Sequence, residues 1–239
     1  MLILITGGAR SGKSSFAERY AARLGSQGAY IATAQAYDDE MRERIGLHRR
    51  QREDGSFRWS TVEEPFELAQ VLSLWGTGPF ADAPESRESA AITAEQPSLE
   101  PSGDFQTETQ VLESIGASMT DSDAVVLVDC LTLWLTNWLL RWEQEADAEK
   151  RLMDKIEELT AACRQYTDSG RHLLLVTNEV GYGLVPEYKL GRQFRDVSGW
   201  MNQRLAREAE QVFLVTSGIP LELKSLQFRW SGQGAGLGD

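Results

Sequence analysis

Short apolar runs alternate with amphipathic segments along most of the chain. The first run, Leu2 to Thr6, is almost continuously apolar, as in a parallel strand that is buried on both faces. A glycine-rich turn follows, and then Phe16, Tyr20 and Leu24 recur every four residues, which predicts an amphipathic helix. A strand, a turn and a helix in this order are typical of α/β proteins.

The same alternation continues to the end of the chain. Further strands are predicted at 29–33, 124–129, 172–177 and 212–217, with a short extended segment at 57–62. Further helices are predicted at 38–52, 65–75, 130–142, 146–166 and 192–210. The expected fold is therefore a mostly parallel sheet flanked by helices.

One segment, 76–110, departs from this pattern. It contains four of the seven prolines, and it carries seven acidic residues against one basic residue, Arg87. Few of its side chains could offset the entropy cost of ordering, so we expect an acidic, mobile insertion within a single domain that covers 1–239. A functional acidic tether is the alternative.

The composition excludes several classes of function. The chain has 24 basic and 36 acidic residues, a net charge of −12, and phosphate backbones and anionic lipids would repel it. We therefore expect no nucleic-acid partner. The longest apolar stretch, Ala124 to Leu140, contains Asp129 and Asn137 and fits a buried strand running into a helix better than a membrane span. With no signal-peptide pattern at the N-terminus, the cytoplasm is the expected compartment.

The turn after the first strand carries the clearest chemistry. It fits GxxxxGK[ST], and its residues are Gly7, Gly8, Ala9, Arg10, Ser11, Gly12, Lys13 and Ser14. Glycines let backbone N–H groups turn toward a phosphate chain, and the helix N-terminus adds partial positive charge. Lys13 would neutralise the β and γ oxygens, and Ser14 offers a hydroxyl to Mg²⁺. We predict a nucleoside triphosphate site in a P-loop NTPase-like (RecA-like) fold.

Asp129 is the candidate second ligand of this site. A P-loop needs a carboxylate at the end of a neighbouring strand to hold the water shell of the metal, and the strand VVLVD ends in Asp129. An aspartate at this position could also cap the following helix, and the two roles are compatible.

His48 decides which reaction is possible. It lies on the predicted polar helix among Arg44, Arg49, Arg50 and Arg52. An arginine cluster can form an anion site, and an imidazole can attack phosphorus as a nucleophile. The alternative is a solvated, charged helix face.

Other conspicuous residues have structural interpretations. His172, at the start of a buried strand, is expected to be structural, and Cys130 and Cys163 are expected to be buried, reduced thiols. A tryptophan stripe recurs every four residues on one helix, and it fits core or subunit packing better than a platform for a flat ligand. Its members are Trp134, Trp138 and Trp142.

Together these residues resemble a known family, the bifunctional cobinamide kinase and cobinamide-phosphate guanylyltransferases of cobalamin biosynthesis. The matching strings are ITGGARSGKS at 5–14, YIATAQ at 30–35, DDEMRERIGLH at 38–48, W-x-T-V-E at 59–63, TNEVGYGLVP at 177–186 and FRDVSGWMNQRLA at 194–206. They occur in family order and span most of the chain outside 76–120. The last two strings are much more specific than the P-loop.

The resemblance implies two reactions on one chain. ATP or GTP first phosphorylates the hydroxyl of the aminopropanol arm of adenosylcobinamide. GTP then guanylylates a histidine with loss of pyrophosphate, and the cobinamide phosphate takes the GMP to give adenosylcobinamide-GDP. By motif position the histidine is His48, and Lys13 serves as the second catalytic residue in the loop that clamps the triphosphate.

The resemblance also implies binding residues and partners. The guanine nucleotide is expected to contact Thr33, Ala34, Gln35, Arg49, Arg50, Gln51, Arg52 and Glu63, and Asp129 is expected to be a further nucleotide or metal contact. The substrate is a corrinoid, the metal is Mg²⁺, and the assembly is a homo-oligomer, specifically a trimer. This chain departs from the family in two places: Arg52 precedes Glu53 rather than proline, and the acidic insertion is longer.

Two alternatives come from the residues alone. A P-loop kinase of another small metabolite would need Lys13 and Asp129 but has no use for His48. A non-catalytic nucleotide switch would bind nucleotide without acquiring covalent GMP.

Overall fold

The computed structural model describes residues 1–35, 57–76, 115 and 124–228. The strands are β1 (Leu2–Gly7), β2 (Gln27–Ala32), β3 (Arg58–Glu63), β4 (Ala124–Asp129), β5 (His172–Val176), β6 (Gln211–Thr216) and β7 (Ile219–Glu222). The helices are α1 (Lys13–Leu24), α2 (Leu68–Gly76), α3 (Leu131–Arg141), α4 (Ala148–Asp168) and α5 (Lys189–Glu208).

The strands form one sheet in the order β3-β2-β4-β5-β1-β6-β7. Strands β1 to β6 are parallel, and only β7 runs antiparallel, against β6. The first strand of the chain therefore lies inside the sheet, between β5 and β6. The carboxyl ends of six strands meet at one edge, where parallel α/β sheets place their ligands. The predicted fold class is confirmed.

Both faces of the sheet carry helices. On one face, α1 covers Ile3, Ile5, Leu127 and Val176. On the other face, α2, α3, α4 and α5 pack over the alternate residues of the same strands, such as Leu4 and Leu175. Both faces are covered, which explains why the strands read as continuous apolar runs rather than as alternating patterns.

Residues predicted to be structural lie in the core. The indole N–H groups of Trp134 and Trp138 both donate to the main-chain oxygen of Phe66, at 2.6 and 3.1 Å, and Trp142 stacks on Trp138. The core interpretation of the tryptophan stripe is confirmed. Both cysteines are free and buried, as expected, and their residues are Cys130 and Cys163.

Two sequence predictions are wrong in detail. The strand predicted at 212–217 is not the last, because Ser217 and Gly218 adopt positive φ and form the tight turn of a hairpin with β7. The signal was weak because β7 is short and contains Pro220, which suits only an edge strand. Helix α5 begins at Lys189 rather than at 192. The predicted helix at 38–52 and nearly all of the predicted insertion at 76–110 lie outside the described residues.

Within the described ranges, no helix has both the length and the apolarity that crossing a bilayer requires.

Candidate active site

The predicted phosphate loop joins β1 directly to α1. Strand β1 ends at Gly7 and α1 begins at Lys13, so the loop proper is short and its residues from Gly8 to Arg10 are exposed. Gly12 has a φ of 92°, in the left-handed region that favours glycine. This turn points the first N–H groups of α1, the positive end of the helix, toward the loop.

Lys13 is folded over the loop. Its ammonium donates to the main-chain oxygen of Gly8 at 3.0 Å, and the residue is only 8% exposed. A lysine is buried to this extent only where oxygen acceptors compensate for its lost hydration. The loop therefore holds a positive charge at its centre, as binding a triphosphate requires.

Strand β6 and the hairpin turn after it hold the loop from behind. The N–H of Gly218 donates to the main-chain oxygen of Ser11 at 2.9 Å. A Cβ added to Gly7 would lie 2.3 Å from the main-chain oxygen of Val215, so no side chain fits there. These contacts were not predicted, because local sequence patterns do not indicate which strand lies behind the loop.

Two hydroxyls beside the loop are buried without partners. The Oγ1 of Thr6 and the Oγ of Ser11 have no hydrogen bond within the described part of the chain. Buried polar atoms are normally paired with protein or with water. Buried polar atoms of Tyr166, His172 and Ser198, away from the loop, likewise have no partner among the described residues, so the two hydroxyls do not by themselves mark a ligand.

Asp129 lies on the same edge of the sheet as the loop, two strands away. It is in register with Val176 of β5, which in turn is in register with Ile5 of β1. Strand β5 therefore lies between β1 and the strand that carries Asp129, and the metal role of Asp129 stays a prediction. Two interstrand spacings place Asp129 about 10 Å from β1, within reach of a bound polyphosphate and its metal. Its Oδ2 accepts a hydrogen bond from the hydroxyl of Tyr30 at 2.9 Å.

The pKa of Cys130 is affected both by Asp129, at the end of β4, and by Lys13, in the phosphate loop. Burial raises the pKa of its thiol to about 12, with a further contribution from the adjacent Asp129, while the charge of Lys13 acts in the opposite direction. Lys13 is therefore close enough to the end of β4 to act on its side chains. At neutral pH the thiol is protonated and is not a nucleophile.

The donor set fits Mg²⁺. Ser14, in the first turn of α1, is half-buried and offers a hydroxyl, and Asp129 offers a partly exposed carboxylate. Mg²⁺ prefers hard oxygen ligands, and in nucleotide sites it takes few of them from protein, with phosphates and water completing the octahedron.

A network of buried polar side chains holds the ends of the strands around the site. The hydroxyl of Thr177, which is fully buried, donates to Asn202 at 2.9 Å, and the amide of Asn202 donates to the main-chain oxygen of Asn178. The N–H of Asn178 donates to Thr132. Sequence reasoning assigned these residues no role, although TNEVG directly follows a predicted strand and so had to lie at the carboxyl edge.

The sequence comparisons identify the family. The profile of the family described as cobinamide kinase / cobinamide phosphate guanyltransferase matches residues 3–78 and 103–223. The chain belongs to this family. The unmatched stretch between the two segments falls within the predicted insertion at 76–110, whose nature stays a prediction.

Curated members of the cobinamide kinase / guanyltransferase family resemble the chain over most of its length. It is 37% identical over 221 residues to the bifunctional adenosylcobalamin biosynthesis protein CobP of Pseudomonas aeruginosa, covering 92% of this chain and 96% of that protein. It is 36% identical to the bifunctional adenosylcobalamin biosynthesis proteins CobU of Escherichia coli and of Salmonella typhimurium. In both cases the match covers 94% of this chain and all of the relative. Membership of the family argues against the two alternatives, an unrelated metabolite kinase and a nucleotide switch.

Four site residues expected from the family lie at the carboxyl ends of β2 and β3, farther along the sheet from the loop than Asp129. Thr33 is fully buried; its hydroxyl donates to the main-chain oxygen of Cys130 at 2.7 Å and accepts from the N–H of Cys130. Ala34 and Gln35 follow it, half-buried, and Glu63 is exposed at the end of β3, on the edge of the sheet. The hydroxyl of Thr33 is thus committed to holding the end of β4, and the nucleotide contacts of all four residues stay predictions.

The remaining family positions lie outside the described residues. They are His48, Arg49, Arg50, Gln51 and Arg52.

Proposed function

We propose that this protein is a bifunctional enzyme of adenosylcobalamin biosynthesis. It phosphorylates adenosylcobinamide with ATP or GTP, and it then transfers GMP from GTP to the adenosylcobinamide phosphate. The observation that carries the proposal is a phosphate loop with Lys13 folded over it, in a chain that matches this family over residues 3–78 and 103–223.

The first reaction transfers a phosphoryl group to an alcohol. The hydroxyl oxygen of the aminopropanol arm attacks the γ-phosphorus, the bond from that phosphorus to the bridging β oxygen breaks, and the nucleoside diphosphate leaves. Lys13 and the N–H groups of the loop stabilise the charge on the phosphate oxygens.

The second reaction passes through a histidine. A ring nitrogen of His48 attacks the α-phosphorus of GTP, the bond to the bridging oxygen breaks, and pyrophosphate leaves. An oxygen of the cobinamide phosphate then attacks the same phosphorus, the P–N bond breaks, and His48 is restored. The arginines beside it, Arg49 and Arg50, would neutralise the phosphates of the incoming nucleotide.

Mg²⁺ would be held by Ser14 and, through its water shell, by Asp129. Bound there it would neutralise charge on the β- and γ-phosphate oxygens. The partly exposed carboxylate of Asp129 and the hydroxyl of Ser14 at the helix start support this assignment.

We also propose that the enzyme works in the cytoplasm as a homo-oligomer, a trimer by family resemblance. An exposed apolar segment supports association, since Tyr182 and Leu184 are 86% and 96% exposed. Light scattering during size-exclusion chromatography gives the mass directly, and a monomer at micromolar concentration would contradict this proposal.

Transfer of label from GTP tests the function. The purified protein is incubated with Mg²⁺ and GTP labelled at the α-phosphate and is then denatured. We expect acid-labile, base-stable label on the protein, as for a phosphoramidate, and none on His48→Ala. Kinase activity toward cobinamide should remain measurable in His48→Ala, because only the second reaction needs the imidazole.

The chain offers a matched control, since it contains only two histidines. His172→Gln removes the other one, which lies at the amino end of β5, away from the loop, and should still take up the label. Absence of label from the wild-type protein while nucleotide still binds would count against the guanylyltransferase and would leave a kinase alone.

A further inference from the structure

Glu179 is a carboxylate at the phosphate loop that no role described so far uses. It follows β5, the strand that pairs directly with β1. Its main-chain N–H donates to the oxygen of Gly7, the first residue of the loop, at 3.1 Å. This bond fixes the backbone of Glu179 against the loop.

Glu179 is nearer to the loop than the other carboxylates at the carboxyl edge of the described strands. One strand spacing of about 5 Å separates β5 from β1, against about 10 Å for Asp129 and about 19 Å for Glu63 at the end of β3. The carboxylate of Glu64 already has hydrogen-bond partners, because its Oε1 accepts two main-chain N–H groups just before α2. Among these carboxylates, Glu179 is therefore the one whose backbone lies nearest the loop.

Within the described part of the chain, the carboxylate of Glu179 is also uncommitted. Asp129 accepts a hydrogen bond from Tyr30, whereas among the described residues nothing donates to the side chain of Glu179 or pairs with it. The residue is half-buried, and its Oε1 lies beside Gly181, 3.7 Å from where a Cβ would be. A half-buried carboxylate without a partner beside a lysine-containing loop is placed to act on a ligand rather than to stabilise the fold.

The backbone under Glu179 is held rigidly. The preceding residue, Asn178, is bonded through its N–H to Thr132 and through its main-chain oxygen to Asn202. With the bond from Glu179 to Gly7, three hydrogen bonds fix this short segment. A group that must meet a reacting atom within a fraction of an ångström benefits from such support.

We propose that Glu179 is the general base of the kinase reaction, an inference that rests on the proposed function. As the hydroxyl oxygen of the corrinoid side arm attacks the γ-phosphorus, its proton passes to the carboxylate of Glu179. The bond between the γ-phosphorus and the bridging oxygen breaks, and the nucleoside diphosphate leaves with that oxygen. The protonated carboxyl then returns its proton to water.

The guanylyl transfer has no need of this base. Its first nucleophile is a ring nitrogen that attacks with a lone pair, and its second is the ionised oxygen of a phosphate ester. Neither carries the hydroxyl proton that must be removed in the kinase step. Loss of the Glu179 carboxylate should therefore impair the kinase reaction and spare guanylyl transfer, whereas loss of His48 should do the reverse.

Glu179→Gln tests the assignment with little change in shape. The main-chain N–H of residue 179 still donates to the oxygen of Gly7, and only the charge of the side chain is lost. We expect kcat for phosphorylation of cobinamide to fall at least about 100-fold, the usual contribution of a general base, with KM for the nucleotide within about threefold of wild type. Labelling of the protein by α-labelled GTP should stay within about threefold of wild type, and this also shows that the variant is folded and binds nucleotide.

Two further variants sharpen the test. Glu187→Gln removes an exposed carboxylate from the same loop and should leave both activities unchanged. Glu179→Asp restores a carboxylate one methylene shorter and should recover part of the kinase activity lost in Glu179→Gln.

Three results would overturn the assignment. They are kinase activity of Glu179→Gln within about threefold of wild type, an equal loss of kinase activity and labelling, and a loss that excess Mg²⁺ restores. Either of the last two would make Glu179 part of the nucleotide or metal site rather than a base. Wild-type protein that neither phosphorylates cobinamide nor takes up label would instead overturn the proposed function, and this role with it.

Discussion

The two edges of the parallel sheet differ in how deeply their bonded side chains are buried. At the amino edge, main-chain bonds such as that from the N–H of Leu173 to the oxygen of Met1 are joined by side-chain bonds at part-buried positions, such as that from the hydroxyl of Tyr20 to Gln211. At the carboxyl edge, buried side chains such as Thr33 and Asn202 bond the chain where it leaves the strands.

The difference follows from what each edge must do. Loops that bind ligands leave the regular ladder, so their main-chain groups lose strand partners and need others. Side-chain amides and hydroxyls supply those partners in fixed positions without covering the loop. We therefore expect substitutions at the carboxyl edge to affect activity and substitutions at the amino edge to affect stability, and the predictions below test this division.

The largest effect is expected for Lys13→Ala. Loss of the charge at the centre of the loop should lower both kinase and guanylyltransferase kcat/KM by about 10²–10³-fold, because both reactions stabilise charge on phosphate oxygens there. The thermal midpoint should stay near that of wild type, since removing a buried ammonium also removes its cost of desolvation.

Lys150→Ala is the matched control, because Lys150 is an exposed lysine in the first turn of α4. Steady-state kinetics of both reactions and calorimetry on the three proteins provide the comparison. A variant at Lys13 that unfolds early but keeps its kcat would contradict the division between the edges.

An intermediate effect is expected for Asn202→Ala. The change leaves the buried hydroxyl of Thr177 and the main-chain oxygen of Asn178 without their partner, which costs about 1–3 kcal/mol of the free energy of unfolding. Kinase activity should fall as well, because the segment that carries Glu179 loses a support. Urea unfolding and kinase assays measure the two effects, with the exposed Gln203→Ala as control. A stable variant with full kinase activity would show that the network does not position the site.

The smallest effect is expected at the amino edge, for His172→Gln. Burial and then the terminal ammonium of Met1 lower the pKa of His172, while Glu210 opposes them. When the pH falls below 6.5, the ordinary pKa of histidine, the unfolded chain therefore takes up a proton at His172 that the folded chain still excludes. The free energy of unfolding then falls as the pH falls.

His172→Gln removes this contribution, so its thermal midpoint should drop less than that of wild type between pH 7 and pH 5. Between pH 7 and pH 8 the two midpoints should differ by a constant amount, and both enzymatic activities should be unchanged. An identical acid dependence in the two proteins would mean that other groups set the response.

The main elements of the fold could be predicted because each has a strong local signal. The apolar runs of β1, β4 and β5 and the GxxxxGK[ST] turn are contiguous in sequence, so their periods and flanking residues identify them. The family strings added the predicted roles of His48 and of the nucleotide-contacting residues, which stay predictions and which the composition alone could not supply.

The contacts that complete the site depend on strand order, which local patterns do not encode. The position of β5 between β1 and β4 places Glu179 closer to the loop than Asp129. The hairpin of β7 was missed because it is short and contains Pro220, and with it the bond from Gly218 to Ser11. The sequence motif predicts the residues of the loop, but it does not predict the strands and turns that support the loop.

The central position of β1 has a consequence for the order in which the protein is made. This strand leaves the ribosome well before its two partners, β5 and β6, which begin at His172 and Gln211. The phosphate loop also lacks its backing until Gly218 has been synthesised. Nascent chains that contain the whole loop motif should therefore bind no nucleotide until the chain through Gly218 has emerged, and during that time the apolar β1 is a natural target for chaperones.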